Sequence, residues 1–267
     1  MLVDFHSHTR ESDGTLAPQA LADFMRERGV GVFSVTDHDT LSAYGQFHVP
    51  HNAVVVSGIE INTTYKENEV HVLGYRLPVD GAPLDGVLER NRDERRKRIA
   101  HMVDRLRESG YDLTFDDVLA ETNGGDVLGR PHVGKALVRK GLVADFDTAF
   151  RSLLKPGKPG YVPSSHITPQ QAIEAIDTAG GIAVLAHPGR LQDYAIIEEL
   201  VDCGLRGLEV FYPSHDAAQT QHFRDLARRF GLVMSGGSDF HDIRYHKRGV
   251  GIDVERDDIA PFLRLVA

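Results

Sequence analysis

Cysteine and tryptophan are the residues that this sequence has least of: Cys203 is its one cysteine, and it contains no tryptophan. A single cysteine cannot form an internal disulfide, and it cannot supply the several thiolates of a cysteine metal cluster. A chain without disulfides is typical of a reducing compartment, so the composition predicts a cytoplasmic location.

Long apolar runs are also missing from the sequence. The longest, such as residues 182 to 186, are far shorter than the roughly 20 residues that a transmembrane helix needs. The segment from Met1 to Asp4 has neither the basic start nor the apolar stretch of a secretion signal. We therefore expect neither a membrane span nor export.

Basic residues are fewer than acidic ones, 30 against 39, which gives a formal net charge of −9. This balance argues against a broad nucleic-acid surface or binding to an anionic membrane, because both need an excess of positive charge. A local basic site remains open. Residues 90 to 98 hold six cations and two anions, and they form either a solvated helix face or a guide for an oligonucleotide.

Histidine is the abundant residue: the chain has 14, more than its 12 phenylalanines or 8 tyrosines. The 267 residues suffice for one large α/β barrel or for two small domains. A hydrophobic content of 41% is that of an ordinary globular enzyme with a substantial core.

Short β-branched segments alternate with helical ones along most of the chain. We predict strands over residues 2–5, 30–36, 53–61, 70–77, 182–186, 207–211 and 232–235. Most consecutive strands are separated by a helix, and this alternation is typical of an α/β fold with a largely parallel sheet. The third and fourth strands are joined by a connection short enough for a hairpin as well as for a parallel step.

Residues 81–155 interrupt the alternation. Their apolar positions recur at helical spacing, for example at Ile99, Met102, Val103 and Leu106, and no convincing strand is present. A loop rich in proline and glycine follows. We therefore predict a main domain of residues 1–80 and 156–267, with a small helical insert of residues 81–155 that covers the functional site.

Most of the chemically active side chains follow the predicted strands. They are His6, His8, Asp37, His38, Glu60, His71, His187, Asp239 and His241. In a parallel α/β barrel the carboxyl ends of the strands meet on one face, which is the face that carries active sites. We therefore expect these side chains to converge.

His6 and His8 point the same way, because strand side chains alternate with a period of two, and Asp4 shares their face. Imidazoles joined by carboxylates suit zinc, manganese or iron, whereas calcium and magnesium prefer oxygen ligands alone. Buried histidines satisfied by hydrogen bonds are the alternative interpretation. The recurrence of such pairs at separate strand ends favours a metal centre.

These motifs resemble the PHP family, named for polymerase and histidinol phosphatase. The resemblance covers almost the whole chain and is most specific over residues 4–8, 36–39 and 237–241. It implies an α/β fold in the form of a distorted seven-stranded TIM-like (β/α) barrel. It also implies a centre of two or three divalent metal ions.

The resemblance further implies which residues hold each ion. His6, His8, Glu60 and Asp239 would hold one, and Glu60 would bridge to a second ion held by His71 and His187; Asp13, His38 and His241 would hold the third. All nine positions carry a suitable residue. Manganese is the metal first expected, with zinc or iron as alternatives.

The charge of such a centre indicates its substrate. Three divalent ions outweigh the ligand carboxylates Asp13, Glu60 and Asp239, so the site favours an anion. Several metal ions together can lower the pKa of a bound water and neutralise phosphoryl oxygens. The predicted reaction is therefore hydrolysis of a phosphate ester.

Within the family, the chain looks most similar to the branch of 3',5'-nucleoside bisphosphate phosphatases and a related 5'-to-3' exoribonuclease. The shared features are Arg130-x-His132 at a helix start, the loop from Lys158 to Tyr161, and the turn from His187 to Arg190. They imply that Arg130, His132 and Arg190 bind substrate phosphate, with Tyr161 near the nucleoside. A helix cap or a surface ion pair is the alternative role for each of the three.

Three further residues complete the predicted site. Asp4 and Asp37 would orient ligand imidazoles, as carboxylates behind metal-bound histidines commonly do. His215 follows a strand end and would line the pocket.

The sequence thus predicts a metal-dependent phosphoesterase that converts a 3',5'-nucleoside bisphosphate to the nucleoside 5'-monophosphate, or that trims short RNA from its 5' end. A protonated group near His241 would assist the leaving oxygen. The alternatives are a histidinol phosphate phosphatase and, from another class, a nonenzymatic metal-binding PHP module. A phosphorylated nucleotide or short oligoribonucleotide is the expected partner, with no protein partner implied.

Overall fold

The computed structural model describes residues 1–66, 68–80, 82–125, 127–244 and 248–267, and it places nine strands in two sheets. The first sheet has the order β3-β2-β1-β9, with β1 at Leu2–Asp4, β2 at Val32–Phe33, β3 at Val54–Val55 and β9 at Ile252–Asp253. Strands β1, β2 and β3 are parallel, and β9 pairs antiparallel with β1.

The second sheet has the order β4-β5-β6-β7-β8. Its strands are β4 at Gly58–Tyr65, β5 at Asn68–Tyr75, β6 at Ile182–Leu185, β7 at Gly207–Phe211 and β8 at Val233–Gly236. β4 and β5 form an antiparallel hairpin, so the short connection between them is a turn and not a parallel crossover. β6, β7 and β8 are parallel, as the alternation with helices predicts.

The expected closed seven-stranded barrel is not confirmed, because neither ladder closes on itself within the described residues. The two sheets meet instead through isolated contacts beyond their strand ends. Ser7 bridges to Phe240, and His38 bridges to Glu60. β1 and β2 are only three and two residues long. The chain after each of these strands forms a loop that carries predicted metal ligands, so the hydrogen-bond ladder of the first sheet does not continue there. The fold is a mixed α/β architecture whose sheets converge at these loops.

The main-domain helices cover the sheets. They are α1 at Pro18–Glu27, α6 at Pro169–Thr178, α7 at Ile196–Asp202, α8 at Ala217–Phe230 and α9 at Arg256–Val266. Each presents an apolar stripe to the sheets: α6, for example, buries Ala172, Ile173 and Ile176 and begins with a capping box at Thr168. Among the described residues, no helix is both long and apolar enough to cross a membrane.

Between β5 and α6 the described residues form helices and loops. The helices are α2 at Asp85–Glu108, α3 at Phe115–Leu119, α4 at Arg130–Arg139 and α5 at Phe146–Ala149, and a π-helical turn continues α5 over Phe150–Leu154. They pack around a hydrophobic cluster of their own that includes Ile99, Met102 and Leu137. The predicted boundary residue Gly81 lies outside the described residues. The division into barrel and insert stays a prediction.

A buried ion pair fastens α2 to the main domain. The Nε of Arg95 donates to Oδ2 of Asp39 at 2.7 Å, and Asn91 donates to the other carboxylate oxygen at 2.8 Å. Asp39 is fully buried and adopts a left-handed backbone with φ 50°. Because a buried charge is costly without a partner, this pair fixes where α2 lies relative to the loop after β2.

Candidate metal centre

The histidines and carboxylates predicted to converge do so at the meeting point of the two sheets. Three groups of potential ligand atoms lie within 4.8 Å of one another: His6, His8, Glu60 and Asp239; His8, Asp13, His38 and His241; and His38, Glu60 and His71. His6 and His8 follow β1, Glu60 is in β4, His71 is in β5, and Asp239 follows β8. His6, His8 and Asp239 thus follow strands with parallel neighbours, whereas Glu60 and His71 lie within the antiparallel pair β4 and β5.

Glu60 is at the centre of the cluster. Its Oε2 lies 3.2 Å from Nε2 of both His6 and His8 and 3.1 Å from Nδ1 of His38. Its Oε1 lies 2.8 Å from Nδ1 of His71 and 3.1 Å from Nε2 of His187. One carboxylate thus faces five imidazoles, which is the arrangement expected of a residue that bridges neighbouring metal ions.

Asp13 is a second carboxylate that lies close to several histidines. Its oxygens lie 3.2 Å from Nε2 of His241, 3.7 Å from Nε2 of His38 and 4.0 Å from Nδ1 of His8. The predicted trio of Asp13, His38 and His241 is therefore together, and His8 joins it. His38 lies with Glu60 and His71 in the third group, and His187 also contacts Glu60 there, with its Nε2 3.1 Å from Oε1.

Two of these residues have unusual backbone conformations. Asp239 has φ 53° and His187 has φ 28°, values that L-residues adopt at a cost of about 1–3 kcal/mol. In Asp239 this turn lets its N–H donate to the carbonyl of His6 at 2.8 Å while its carboxylate faces His8. The surrounding fold holds this strained geometry at the cluster.

Unpaired buried atoms test whether the cluster fits metal ions. Within the described residues, seven buried side-chain atoms of the cluster make no hydrogen bond: His6 Nε2, both ring nitrogens of His8, Asp13 Oδ1, His38 Nδ1, Glu60 Oε2 and His71 Nε2. Buried polar atoms are paired in the great majority of proteins. All seven are atoms of the types that zinc, manganese and iron accept as ligands, with one ring nitrogen of His8 supplying a lone pair at a time, so the residues fit such ions.

The electrostatics of the cluster favour bound cations. Although burial opposes their charge, neighbouring histidines hold the pKa of Glu60, Asp13 and Asp239 well below the usual range. Conversely, the carboxylates overcome burial and raise the pKa of His6 well above its ordinary value and that of His8 to about 10. The carboxylates thus draw positive charge into the cluster, and divalent ions compete with protons for the same nitrogens.

Known proteins of similar sequence are phosphoester hydrolases. A 3',5'-nucleoside bisphosphate phosphatase of Chromobacterium violaceum is 32% identical over 98% of this chain and 94% of its own length. A phosphoribosyl 1,2-cyclic phosphate 1,2-diphosphodiesterase of Eggerthella lenta is 34% identical over 90% and 94%. A 5'-3' exoribonuclease Rnm of Salmonella typhimurium is 32% identical over 90% and 85%. No family model matches the chain.

Two solved structures superpose on almost the whole chain. An amidohydrolase from Chromobacterium violaceum, solved with bound sulfate, superposes with a TM-score of 0.84 at 31% identity, over 98% of this chain and 95% of that one. A putative metal-dependent phosphoesterase from Bifidobacterium adolescentis superposes with a TM-score of 0.85 at 27% identity, over 99% and 96%.

This chain belongs to the PHP family of metal-dependent phosphoesterases. It is therefore a hydrolytic enzyme that acts on phosphoesters and binds divalent metal, and the alternative of a nonenzymatic PHP module is not supported.

Glu209, which the sequence analysis does not single out, is a buried member of the PHP site. One of its carboxylate oxygens lies 3.0 Å from Nδ1 of His6, and the other accepts the backbone N–H of His187 at 2.7 Å. A carboxylate behind a ligand imidazole fixes the ring orientation and the tautomer. The signal in the sequence is an acidic residue in the middle of the apolar strand β7.

Replacing Glu209 by glutamine is expected to lower metal affinity about 10- to 100-fold, because the amide no longer holds the His6 ring as a charged acceptor. Titration of metal-stripped protein with manganese measures this change directly. Glu108→Gln, at the exposed end of α2, is the matched control. An unchanged manganese affinity in Glu209→Gln would show that Glu209 does not act on His6.

Asp4 and Asp37 make hydrogen bonds to loops of the PHP site, and neither bonds to an imidazole in the part of the chain that the structure describes. Asp4 accepts from the backbone and hydroxyl of Ser238 at 2.9 and 2.7 Å and from the N–H of Gly251. Asp37 accepts from the backbone and hydroxyl of Thr9 and from the hydroxyl of Ser12. These two carboxylates thus hold the loops that carry Asp239, His8 and Asp13.

The predicted phosphate contacts have different surroundings. Arg190 lies beside the cluster: it donates to Oδ2 of Asp239 at 2.9 Å and stacks over the ring of Tyr212. Arg130 and Arg190 both line a cavity of about 160 Å³ beside the cluster, which we call the central cavity, and Arg130 pairs with Glu69 at 2.7 Å. His132 is buried, and its Nδ1 accepts the N–H of Gly129 at 3.0 Å. For His132 the structure therefore supports the alternative role of a helix cap.

The two predicted pocket residues do not line the central cavity among the described residues. His215 holds the turn that carries Arg190: its Nδ1 lies 3.0 Å from the carbonyl of Val210, and its Nε2 accepts the N–H of Gly189 at 3.1 Å. Tyr161 is half-buried in the loop after the π-helical turn. The structure thus gives His215 a supporting position and leaves the role of Tyr161 a prediction.

Proposed function

We propose that this PHP enzyme removes the 3'-phosphate from a 3',5'-nucleoside bisphosphate, which leaves the nucleoside 5'-monophosphate and inorganic phosphate, and that it also trims short RNA from the 5' end. The observation that carries the proposal is the convergence of eight histidine and carboxylate side chains, six of which have buried ligand atoms that make no hydrogen bond within the described residues. The names of its relatives from Chromobacterium violaceum and Salmonella typhimurium support the choice of a nucleotide substrate.

We assign the metal ligands as the sequence predicts, with two additions from the geometry. His38 joins the group of Glu60 and His71, and His8 joins the group of Asp13 and His241. Manganese is the proposed metal, in two or three sites. When bound, such ions lower the pKa of a water and neutralise phosphoryl oxygens.

The central cavity, of about 160 Å³, leads to the cluster and limits which part of a substrate reaches the proposed metal ligands. Its lining includes His71, Arg130, Arg190 and Asp239. Two larger adjoining cavities, of about 390 and 340 Å³, share Arg190 with its rim and provide room for the rest of a nucleotide.

Arg190 is proposed to bind the phosphate that reacts. Its guanidinium already contacts Asp239, and it stacks on the ring of Tyr212 and donates to the Tyr212 hydroxyl. Arginine presents paired donors that match phosphate oxygens. The leaving oxygen takes its proton from a group near His241, which lines the same cavity.

The helical insert is proposed to cover this cavity. Residues from α2, from the start of α4 and from the π-helical turn line it, including Ile99, Leu128 and Phe150. The insert therefore helps to exclude water and to select the substrate.

A substrate panel tests the proposal. Metal-loaded enzyme is incubated with adenosine 3',5'-bisphosphate, a 5'-phosphorylated oligoribonucleotide, histidinol phosphate and phosphoribosyl 1,2-cyclic phosphate, and the phosphate and nucleotide products are measured. The highest kcat/KM is expected for adenosine 3',5'-bisphosphate, with one phosphate released per molecule. A preference for histidinol phosphate or for the cyclic phosphate would contradict the nucleotide assignment and leave the phosphoesterase chemistry intact.

A further inference from the structure

Tyr212 connects a proposed metal ligand to the arginine proposed to bind phosphate. It directly follows β7 and is only 7% exposed. Its hydroxyl donates to Oδ2 of Asp239 at 2.9 Å and accepts a hydrogen bond from Nη2 of Arg190. A tyrosine hydroxyl has one hydrogen, and a guanidinium can only donate, so the direction of both bonds is fixed. Arg190 donates to Tyr212, and Tyr212 donates to Asp239.

The two carboxylate oxygens of Asp239 face different partners. Oδ1 lies 3.2 Å from Nε2 of His8 and 3.4 Å from Nε2 of His6, within the proposed metal centre. Oδ2 accepts from the Tyr212 hydroxyl and from Nη2 of Arg190, both at 2.9 Å. Hydrogen bonds to a carboxylate that binds metal fix its orientation. Donors on Oδ2 therefore keep Oδ1 turned toward the histidines.

Tyr212 is the fixed member of this group, and Arg190 is the exposed one. The Tyr212 ring packs against His187, with ring centroids 5.6 Å apart, and against His215 at 5.1 Å. The Arg190 side chain is 55% exposed, and its guanidinium lies 5.2 Å from the centre of the Tyr212 ring. Arg190 can therefore change its rotamer while the Tyr212 ring stays in place.

Arg190 cannot give the same hydrogens to Asp239 and to a phosphate. Nη2 carries two hydrogens, and these already go to Oδ2 of Asp239 and to the Tyr212 hydroxyl. When Arg190 turns to a phosphate, the Tyr212 hydroxyl continues to donate to Oδ2. Because a buried carboxylate oxygen without a donor is costly, this remaining bond makes it easier for Arg190 to leave Asp239.

We propose that Tyr212 is a positioning residue that holds Asp239 for metal binding and thereby frees Arg190 to bind the reacting phosphate. The first part concerns the metal centre alone. The second part rests on the proposed function, because it assumes that Arg190 contacts the substrate phosphate. Loss of the hydroxyl should therefore weaken the binding of a cation and of an anion, whereas a simple change of charge would strengthen one of them.

Manganese titration of metal-stripped protein tests the first part without turnover. Tyr212→Phe keeps the ring and removes the hydroxyl, so manganese should bind about 3- to 10-fold more weakly while Arg190 still donates to Oδ2. Arg190→Ala should not weaken manganese binding, because Tyr212 still holds Oδ2 and one positive charge is removed. Adding Tyr212→Phe to Arg190→Ala should weaken it by about 10- to 100-fold, because Oδ2 then loses both donors.

A merely structural role for Tyr212 predicts a different result. The ring contacts persist in Tyr212→Phe, so this change, alone or added to Arg190→Ala, would then leave the manganese affinity unchanged. Tyr111→Phe removes a hydroxyl beside the separate hydrophobic cluster of α2 and α4, and as the matched control it should bind manganese like the wild type. Thermal melting shows whether each variant folds. An unchanged manganese affinity in folded Tyr212→Phe would overturn the proposal, as would the lack of a larger loss in a folded double variant.

Inorganic phosphate tests the second part on enzyme with manganese held well above the Kd of each variant. By calorimetry, Arg190→Ala and Tyr212→Phe should each bind phosphate about 5- to 10-fold more weakly than the wild type. The first variant lacks the donor, and in the second Arg190 stays on Asp239. An unchanged phosphate affinity in either variant would overturn the second part. If the wild type hydrolyses no nucleotide, the proposed function fails, and the manganese titration still decides whether Tyr212 positions Asp239.

Discussion

Replacing Glu60 by glutamine is expected to lower kcat/KM at least about 1000-fold, a loss of roughly 4 kcal/mol of transition-state stabilisation. The reason is the central position of this carboxylate, which lies within 3.2 Å of nitrogens on five histidines. An amide carries no charge to balance bridging cations, and it turns one oxygen into a donor that repels them. Steady-state kinetics with manganese and a nucleotide substrate measure the loss.

The control for this prediction separates charge at the cluster from a general effect of the substitution. Glu108→Gln removes the same charge from an exposed helix end and should retain wild-type kinetics. Thermal melting of both variants shows whether they fold. A folded Glu60→Gln enzyme with more than a tenth of the wild-type kcat/KM would remove Glu60 from the bridging position.

Stripping the metal ions is expected to lower the melting temperature by about 5 °C or more, since ligands bound at 100 times their Kd stabilise a protein by about 2.7 kcal/mol. The buried ligand atoms that lack hydrogen bonds are the structural reason for this loss. Calorimetry before and after chelation, and again after manganese is restored, measures it. An unchanged melting temperature would show that these atoms need no cation.

The loss of melting temperature on metal removal is expected to depend on pH. In the stripped protein Asp239 and Glu60 overcome burial and raise the pKa of His8 from 6.5 to about 10. Protonation of His8 therefore stabilises the stripped fold in full below pH 6.5, and this contribution is lost as the pH rises toward about 10. In the metal-loaded protein His8 binds metal in its deprotonated form. The difference in melting temperature between the loaded and the stripped protein should therefore widen as the pH rises.

Part of the cluster was predictable because its ligands follow strands. His6 and His8 after β1 and Asp239 after β8 are recognisable from the apolar segments that precede them, and parallel strand ends converge. Glu60 and His71 lie instead within the antiparallel pair β4 and β5. The helical character of the residues between β5 and α6 was likewise visible in the spacing of Ile99, Met102 and Leu106. These features depend on local pattern and strand alternation alone.

Closure of the sheet was not predictable from local pattern. Strand content and order do not determine whether short strands such as β2, with two residues, continue their ladders into a neighbour. The sequence between β4 and β5 is short, and it permitted a parallel step as well as the antiparallel pairing that the two strands show. Such choices are decided by long-range pairing that periodicity does not encode.

The sequence also did not reveal which groups pair with the buried charged side chains. Glu209 reads as one acidic residue in an apolar strand, and only the fold shows that it faces His6. The basic run at residues 90–98 is not a uniform solvated face or a uniform guide for an oligonucleotide. Two of its members, Arg95 and Arg98, turn inward and pair with Asp39 and Glu69. Charge counted along a helix does not reveal which members meet a partner from another element.

The most direct measurement determines metal content and phosphate release on the same preparations of wild type and Glu60→Gln, with adenosine 3',5'-bisphosphate as substrate. The wild type is expected to bind two or three manganese ions per chain and to release one phosphate per substrate molecule. Glu60→Gln should lose at least one ion and the activity together. Full activity in wild-type protein that holds no divalent metal, or full metal content with full activity in the variant, would contradict a metal centre built around Glu60.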